Sequence, residues 1–92
     1  MKFFAVATRK AEFTMDQFAP VLDAEAQRAR VLYGEQKVRE IYSRADGKGA
    51  ILVLEAVDEA EAQSYIDSLP LVQEGMLEVE MYGAIPYRGF VG

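Results

Sequence analysis

A hairpin is the feature of this sequence that decides its fold, and residues 37–56 read KVREIYSRADGKGAILVLEA. The pair Asp46 and Gly47 is typical of a tight turn, since such turns need positive φ at their central positions. Residues 37–44, before the turn, mix apolar and charged side chains, which suits an edge strand. Residues 50–56, after it, are apolar with one exception, which indicates a strand buried on both faces.

The segment before this hairpin predicts a strand followed by a helix. Residues 2–9 contain a second apolar run, typical of another buried strand. Thr14, with Gln17 three residues later, forms the pattern of a capping box and opens a helix that ends at Gly34. Pro20 lies inside the helical pattern, so it either kinks the helix or displaces the helix start to just before it.

The segment after the hairpin predicts a second helix and a fourth strand. Asp58 caps the helix with Glu61 at the capping-box position, and Pro70 prevents its continuation. Residues 77–82 alternate apolar and polar side chains, which predicts a strand with one solvated face. Residues 83–92 form an apolar tail.

The predicted order is β-α-β-β-α-β, an α+β, ferredoxin-like fold with a four-stranded antiparallel sheet. Right-handed crossovers place the first and third strands, the two apolar ones, at the centre of the sheet. Two helices cover one face only, so the apolar second face predicts face-to-face dimerisation into a dimeric α+β barrel. We expect residues 1–92 to form one domain, in a homodimer or higher homo-oligomer, with the tail (83–92) packing on a neighbouring subunit.

Composition excludes several classes of function. The 92 residues contain neither Cys nor His, which removes disulfides, thiolate or imidazole metal sites and Cys or His nucleophiles. A net charge of −5 argues against nucleic-acid binding. No apolar run approaches the length of a membrane span, and none has the pattern of a signal peptide. We therefore expect a cytoplasmic protein without membrane contact. Neither a Gly-rich phosphate loop nor a metal-ligand cluster is present, so no metal or cofactor is expected.

Two carboxylates interrupt apolar patterns and are candidates for proton transfer. Glu25 lies at the edge of the apolar stripe of the first helix, where partial burial makes a carboxylate a better proton acceptor. The alternative for Glu25 is a surface ion pair with Arg28 or Arg30. Glu55 interrupts the most apolar strand, and a buried carboxylate there needs a partner or a proton. It is either a general acid or a member of a structural ion pair at the strand end.

The second strand offers two alternative sets of polar side chains. Strand alternation puts Glu40, Tyr42 and Arg44 on one face and Arg39 on the other. If the first set faces the helices, Glu40 and Tyr42 line a pocket and Arg44 lies at its mouth. If the second set does, Arg39 is the polar group inside, suited to holding a substrate carboxylate.

Aromatic residues supply candidate pocket walls. Tyr33, Tyr65 and Tyr87 each combine an apolar ring with a hydroxyl that can orient a ligand, although such residues also build cores and interfaces. Arg88, on the tail, is placed to close a neighbour's pocket.

The element order, VREIY at 38–42, and LPL at 69–71 before LEVE at 77–80 resemble the muconolactone isomerase-like branch of the dimeric α+β barrel superfamily. The resemblance covers residues 20–86. It implies a small-molecule pocket between sheet and helices in each subunit. It also implies an isomerase that shifts a proton on a lactone acid without metal or organic cofactor, assembled as dimers or larger rings.

The same resemblance implies roles for individual residues. Glu25 stands where those isomerases have a helix carboxylate, Arg39 matches an arginine of their second strand, and Glu40 takes the place of a histidine.

We therefore expect a cofactor-independent, isomerase-type enzyme acting on a small organic acid or lactone. Glu25 or Glu40 would move the proton, Tyr42 would donate to the developing enolate oxygen, and Arg39 or Arg44 would hold a carboxylate. The alternatives are a non-catalytic small-ligand-binding or assembly module of the same fold, and a cofactor-free monooxygenase.

Overall fold

A computed structural model describes residues 1–90. None of the helices in this part of the chain has the length and hydrophobicity that a membrane crossing requires. The predicted β-α-β-β-α-β order is confirmed, with one short helix added before the last strand. The elements are β1 (Lys2–Arg9), α1 (Met15–Gly34), β2 (Val38–Ser43), β3 (Gly49–Glu55), α2 (Glu59–Asp67), α3 (Pro70–Gln73), β4 (Leu77–Ala84) and a 3₁₀ turn (Arg88–Phe90).

The four strands form one antiparallel sheet in the order β2-β3-β1-β4, so β1 and β3 are central as predicted. Ala7 of β1 lies opposite Ala50 of β3 and Val79 of β4. The strands approach closely where β3 begins, because a Cβ atom at Gly49 would overlap the carbonyl oxygen of Ala7. A glycine is therefore required at the start of β3.

Both long helices pack on one face of the sheet and bury a continuous core. Phe3, Leu32, Leu54 and Ile66 are among the side chains in that core that are almost completely buried. A smaller cluster of Phe18, Leu71 and Met76 joins the start of α1 to α3. The opposite face of the sheet, called the outer face below, points away from the helices.

Helix α1 begins at Met15 and continues through Pro20, so the displaced start considered from the sequence is wrong. The capping interaction explains this start, because the Thr14 N–H donates to Oε1 of Gln17 at 2.7 Å. Pro20 deprives the Asp16 carbonyl of its helical donor, but Pro20 is exposed, so water can reach this turn.

The second half of the chain follows the prediction with two differences. Asp58 caps α2 by accepting from the Glu61 N–H at 2.8 Å, as expected. Pro70 does more than prevent continuation, because it occupies the first turn of α3, where its missing N–H costs nothing. Strand β4 extends to Ala84, since Gly83 and Ala84 still pair with β1, so the segment beyond the sheet starts at Ile85. Residues 91–92 of the predicted tail lie outside the described residues.

Strand β2 contains a β-bulge that changes which side chains face the helices. Val38 pairs with Leu54, and Glu40 pairs with Val53, which is adjacent to Leu54 in β3. Arg39 is therefore the extra residue of the bulge. Strict alternation, which the sequence prediction assumed, therefore fails at Arg39. After the bulge, Ile41 faces the helices, whereas Glu40 lies on the outer face.

Candidate active site

A cleft of about 280 Å³ lies between α1 and the sheet, near the end of the sheet where β1 finishes and β3 starts. Its walls are mostly apolar, and small side chains supply much of them. This combination of an apolar concave surface with a few polar groups is typical of small-molecule sites. The lining residues are Ala7, Arg9, Leu22, Glu25, Ala26, Ala29, Ile41, Ser43, Gly49, Ala50, Leu52, Leu69, Leu71 and Leu77.

Glu25, one of the predicted catalytic residues, is brought to this cleft by α1. Its side chain is half-buried, and its Oε1 accepts a hydrogen bond from the backbone N–H of Leu71 at 2.9 Å. Leu71 follows Pro70 in the first turn of α3, where an N–H has no acceptor within the helix. Glu25 therefore fixes α3 to α1 while its carboxyl group lines the cleft.

Two opposing effects act on the Glu25 carboxyl group. Burial, the larger one, raises its pKa above the ordinary value for glutamate, and the hydrogen bond from Leu71 partly offsets that rise. A carboxylate with a raised pKa accepts a proton more readily near neutral pH. The side chain is thus suited to proton transfer.

Arg9 and Ser43 also line the cleft, although neither is among the site residues predicted from the sequence. Arg9 is the last residue of β1. By strand alternation it lies on the same face as Phe3, Ala5 and Ala7, which are buried beneath the helices. A charged residue at a helix-facing position of a central strand was therefore a usable signal. The Arg9 guanidinium donates to the Gly47 carbonyl.

Glu40 and Tyr42 lie on the outer face, away from the cleft, because of the bulge. The Tyr42 hydroxyl donates to Oε1 of Glu40 at 2.5 Å, and this bond raises the pKa of Tyr42. Arg44 donates to Thr8 Oγ1 and to Asp46 Oδ2, each at 2.6 Å. The alternative in which Glu40 and Tyr42 face the helices is thus not the arrangement observed.

The second alternative, Arg39 inside the pocket, is not observed either. Its Nε donates to the Gln36 carbonyl at 2.7 Å in an exposed position. Arg39 and Tyr33 line a separate shallow hollow at the C-terminal end of α1. Tyr33 itself is 59% exposed.

Glu55 and Tyr65 have partners elsewhere in the fold. Glu55 forms an ion pair with the N-terminal ammonium group at 2.5 Å, and the hydrogen bond within this pair lowers the pKa of Glu55. Tyr65 packs against the core, and its hydroxyl donates to Glu61 at 2.7 Å, which raises the pKa of Tyr65 to about 12. Neither side chain lines the cleft.

Tyr87 and Arg88 lie beyond β4, in the segment of the 3₁₀ turn. The Tyr87 ring contacts Phe90 edge to face, with ring centroids 4.9 Å apart, and Tyr87 remains 68% exposed. Among residues 1–90, no group of three or more acidic side chains converges as a metal site.

The order of the elements and the antiparallel sheet define a ferredoxin-like α+β fold. Solved structures that share this fold include two enzymes. One is muconolactone isomerase, with a TM-score of 0.79 and 16% identity over 100% of this chain and 96% of that one. The other is 5-chloro-2-hydroxyhydroquinone dehydrochlorinase (TftG) from Burkholderia phenoliruptrix AC1100 in complex with 2,5-dihydroxybenzoquinone. Its TM-score is 0.78 at 14% identity, over 97% of this chain and 98% of that one.

These likenesses confirm the fold and the structural resemblance predicted from the sequence. Neither the known protein families nor the curated proteins give a match to this sequence.

The raised pKa of Glu25 predicts a pH effect on stability. Between the unfolded and the higher folded pKa of this group, the folded state binds more protons, so its contribution to the free energy of unfolding falls as pH rises. Glu25→Gln removes this contribution. Between about pH 4 and about pH 7, the free energy of unfolding of the variant, relative to that of the parent, should therefore rise. Urea unfolding of both proteins across this range measures the difference, and a difference independent of pH would contradict the assignment.

Proposed function

We propose that this protein is a cofactor-independent enzyme that moves a proton on a small organic acid or lactone. The observation that carries the proposal is Glu25, a half-buried carboxyl group with a raised pKa in the wall of a mostly apolar cleft. Groups of this kind are typical general bases. A cytoplasmic location, expected from the sequence, remains part of the proposal.

The proposed reaction is an isomerisation. The Glu25 carboxylate takes a proton from a carbon that lies between a carbonyl group and a C=C bond, and the electron pair spreads over the resulting dienolate. The proton returns at the far carbon of that C=C bond, which shifts the double bond by one position. The isomerisation therefore consumes no co-reactant. The cleft volume of about 280 Å³ lies just below the usual range of ligand sites and suits a substrate with a single ring.

The two structural neighbours support a substrate of this size. One is named for a lactone, and the other was solved with 2,5-dihydroxybenzoquinone. Both compounds are oxygenated single rings.

A non-catalytic ligand-binding protein is the second candidate, and the contact between Glu25 and Leu71 favours it. That hydrogen bond gives the carboxylate a structural role without any chemistry. Glu25→Gln separates the two candidates, because the amide oxygen of glutamine can still accept from the Leu71 N–H. The variant therefore keeps the hydrogen bond from Leu71 and loses the general base.

We expect Glu25→Gln to lower turnover by about 100-fold or more, the usual contribution of a general base, while the free energy of unfolding at pH 7 is equal to or above that of the parent, because the amide avoids the cost of burying a charge. The assay incubates protein with muconolactone in D₂O and follows deuterium uptake at carbon by NMR, with substituted hydroquinones as the second substrate class. Asp23→Asn, an exposed carboxylate on the same helix, is the matched control and should retain parental turnover.

Binding of these compounds without deuterium uptake by the parent would support the ligand-binding candidate. Equal turnover by the parent and Glu25→Gln would contradict the proposed role of Glu25.

We also propose that the protein is a homodimer built through the outer face of the sheet. Phe4, Val6, Ile51 and Val53 form the apolar centre of this face. Phe4 is 38% exposed in the single chain, Val6 and Ile51 are partly exposed, and Val53 is already buried. A face of this kind is typical of an interaction surface.

The margins of the outer face are alike on its two edge strands. Tyr42 donates to Glu40 on β2, and Tyr82 donates to Glu80 on β4. Similar margins on both sides of an apolar centre suit a twofold interface, in which one surface meets its own copy. In this arrangement Glu40 and Tyr42 contact the partner subunit. The exposed segment after β4, with Tyr87 and Arg88, packs on a neighbouring subunit.

Phe4→Glu should convert the dimer into a monomer, because each copy would place a charge at the centre of the apolar interface. Light scattering coupled to size-exclusion chromatography measures the mass. Val57→Glu adds the same charge at a side chain that is 77% exposed and away from this face, and should leave the mass unchanged. A parent protein with the mass of one chain would overturn the proposed dimer.

A further inference from the structure

A second hollow, of about 410 Å³, lies beside the cleft, between the end of β1, the start of α1 and the turn that joins β2 to β3. Three cationic side chains line it: Arg9, Lys10 and Lys48. Among residues 1–90, no carboxylate lines this hollow, although the chain has 15 acidic and only 10 basic residues. The hollow is therefore a local concentration of positive charge on an acidic protein.

Arg9 joins this hollow to the cleft, because its side chain lines both. The backbone fixes the cations near one another. The Arg9 N–H donates to the Lys48 carbonyl at 2.9 Å, and the Lys10 N–H donates to the Met76 carbonyl at 3.0 Å. The Arg9 guanidinium also lies 5.8 Å from the centroid of the Phe18 ring. This arrangement holds Arg9 at the boundary between the two spaces.

Asp46, the acidic residue closest to Lys48 in sequence, is already bound. Its Oδ2 accepts from Arg44 at 2.6 Å and its Oδ1 from the Lys48 backbone N–H at 2.9 Å. These two bonds hold the pKa of Asp46 below its ordinary value. Asp46 forms its ion pair with Arg44 and does not line the hollow, although the Lys48 charge also helps to lower the pKa of Asp46. The Lys48 side chain itself lines the hollow, where a ligand can reach it.

We infer that the hollow is the anion-binding subsite of the cleft, and that the ligand is a small unsaturated or aromatic carboxylate. Its ring lies in the cleft and its carboxylate lies against Arg9, with Lys10 and Lys48 adding positive charge. A guanidinium group can hold a carboxylate by two parallel hydrogen bonds, and one bond from Arg9 to Gly47 leaves further N–H groups for it. This inference rests on the proposed function for the place of the ring and deepens it by locating the groups that bind the substrate's carboxylate.

The test titrates ¹⁵N-labelled protein with benzoate and with benzamide, its neutral counterpart of nearly the same shape. Benzoate should shift the amide resonances of Thr8, Arg9, Lys10 and Lys48, with at least about ten-fold tighter binding than benzamide at low ionic strength. Added salt should weaken benzoate binding and leave benzamide binding unchanged.

Charge-removing variants locate the effect. Lys48→Gln and Lys10→Gln should each weaken benzoate binding about two- to five-fold, as expected for exposed charges. Arg9→Gln should weaken it more, and the two lysine variants keep the test valid if Arg9→Gln fails to fold. Lys2→Gln is the matched control, because Lys2 lies at the other end of β1, and this variant should bind benzoate like the parent.

Equal affinity for benzoate and benzamide, or benzoate shifts confined to the outer face, would overturn this inference. So would equal weakening by Lys2→Gln and Lys48→Gln. A protein that binds benzoate in the predicted manner but exchanges no proton on any tested substrate overturns the proposed enzyme and leaves the anion subsite standing.

Discussion

A decrease in side-chain size along the interface between α1 and the sheet determines where the cleft lies. One row across the sheet carries Val38, Leu54 and Phe3, which fill the space beneath the helices. Two rows further on, the aligned residues are Ser43, Ala50 and Ala7. Helix α1 follows the same trend, from Leu32 at its buried C-terminal end to Ala29 and Ala26 beside the cleft. Close packing at one end holds helix and sheet apart at the other, and the small residues leave that space for a ligand.

Glu25 links this space to the stability of the fold. Its hydrogen bond with Leu71 gives α3 an acceptor that the short helix cannot supply for itself, since Pro70 offers no N–H and Leu71 has no partner within the helix. The same contact holds the carboxyl group at the wall of the cleft, where burial raises its pKa. A single side chain thus joins α1 to α3 and supplies the proton acceptor of the proposed reaction. The outer face of the sheet is separate from this site.

The sequence predicts the topology well because each element carries a local signal. Apolar runs mark β1 and β3 as central, and the capping boxes at Thr14 and Asp58 mark the helix starts. The residues of the site are harder to predict. The bulge at Arg39 changes the facing of β2, and a bulge depends on pairing with β3 rather than on β2 alone. The sequence identifies Glu25 as a candidate from its place on the helix stripe. Its partner is 46 positions away in sequence, so the contact with Leu71 needs the tertiary structure.

The most direct test of the central claim is to fill the cleft. Ala29→Leu adds apolar volume inside the cleft, at a helix position where leucine is favourable. Calorimetric titration with benzoate, together with thermal unfolding, then measures binding and folding on the same protein. If the cleft holds the ligand, the midpoint of unfolding should be equal to or above that of the parent, and benzoate affinity should fall by about ten-fold or more. A folded Ala29→Leu protein that binds benzoate as tightly as the parent would show that the ligand site lies elsewhere.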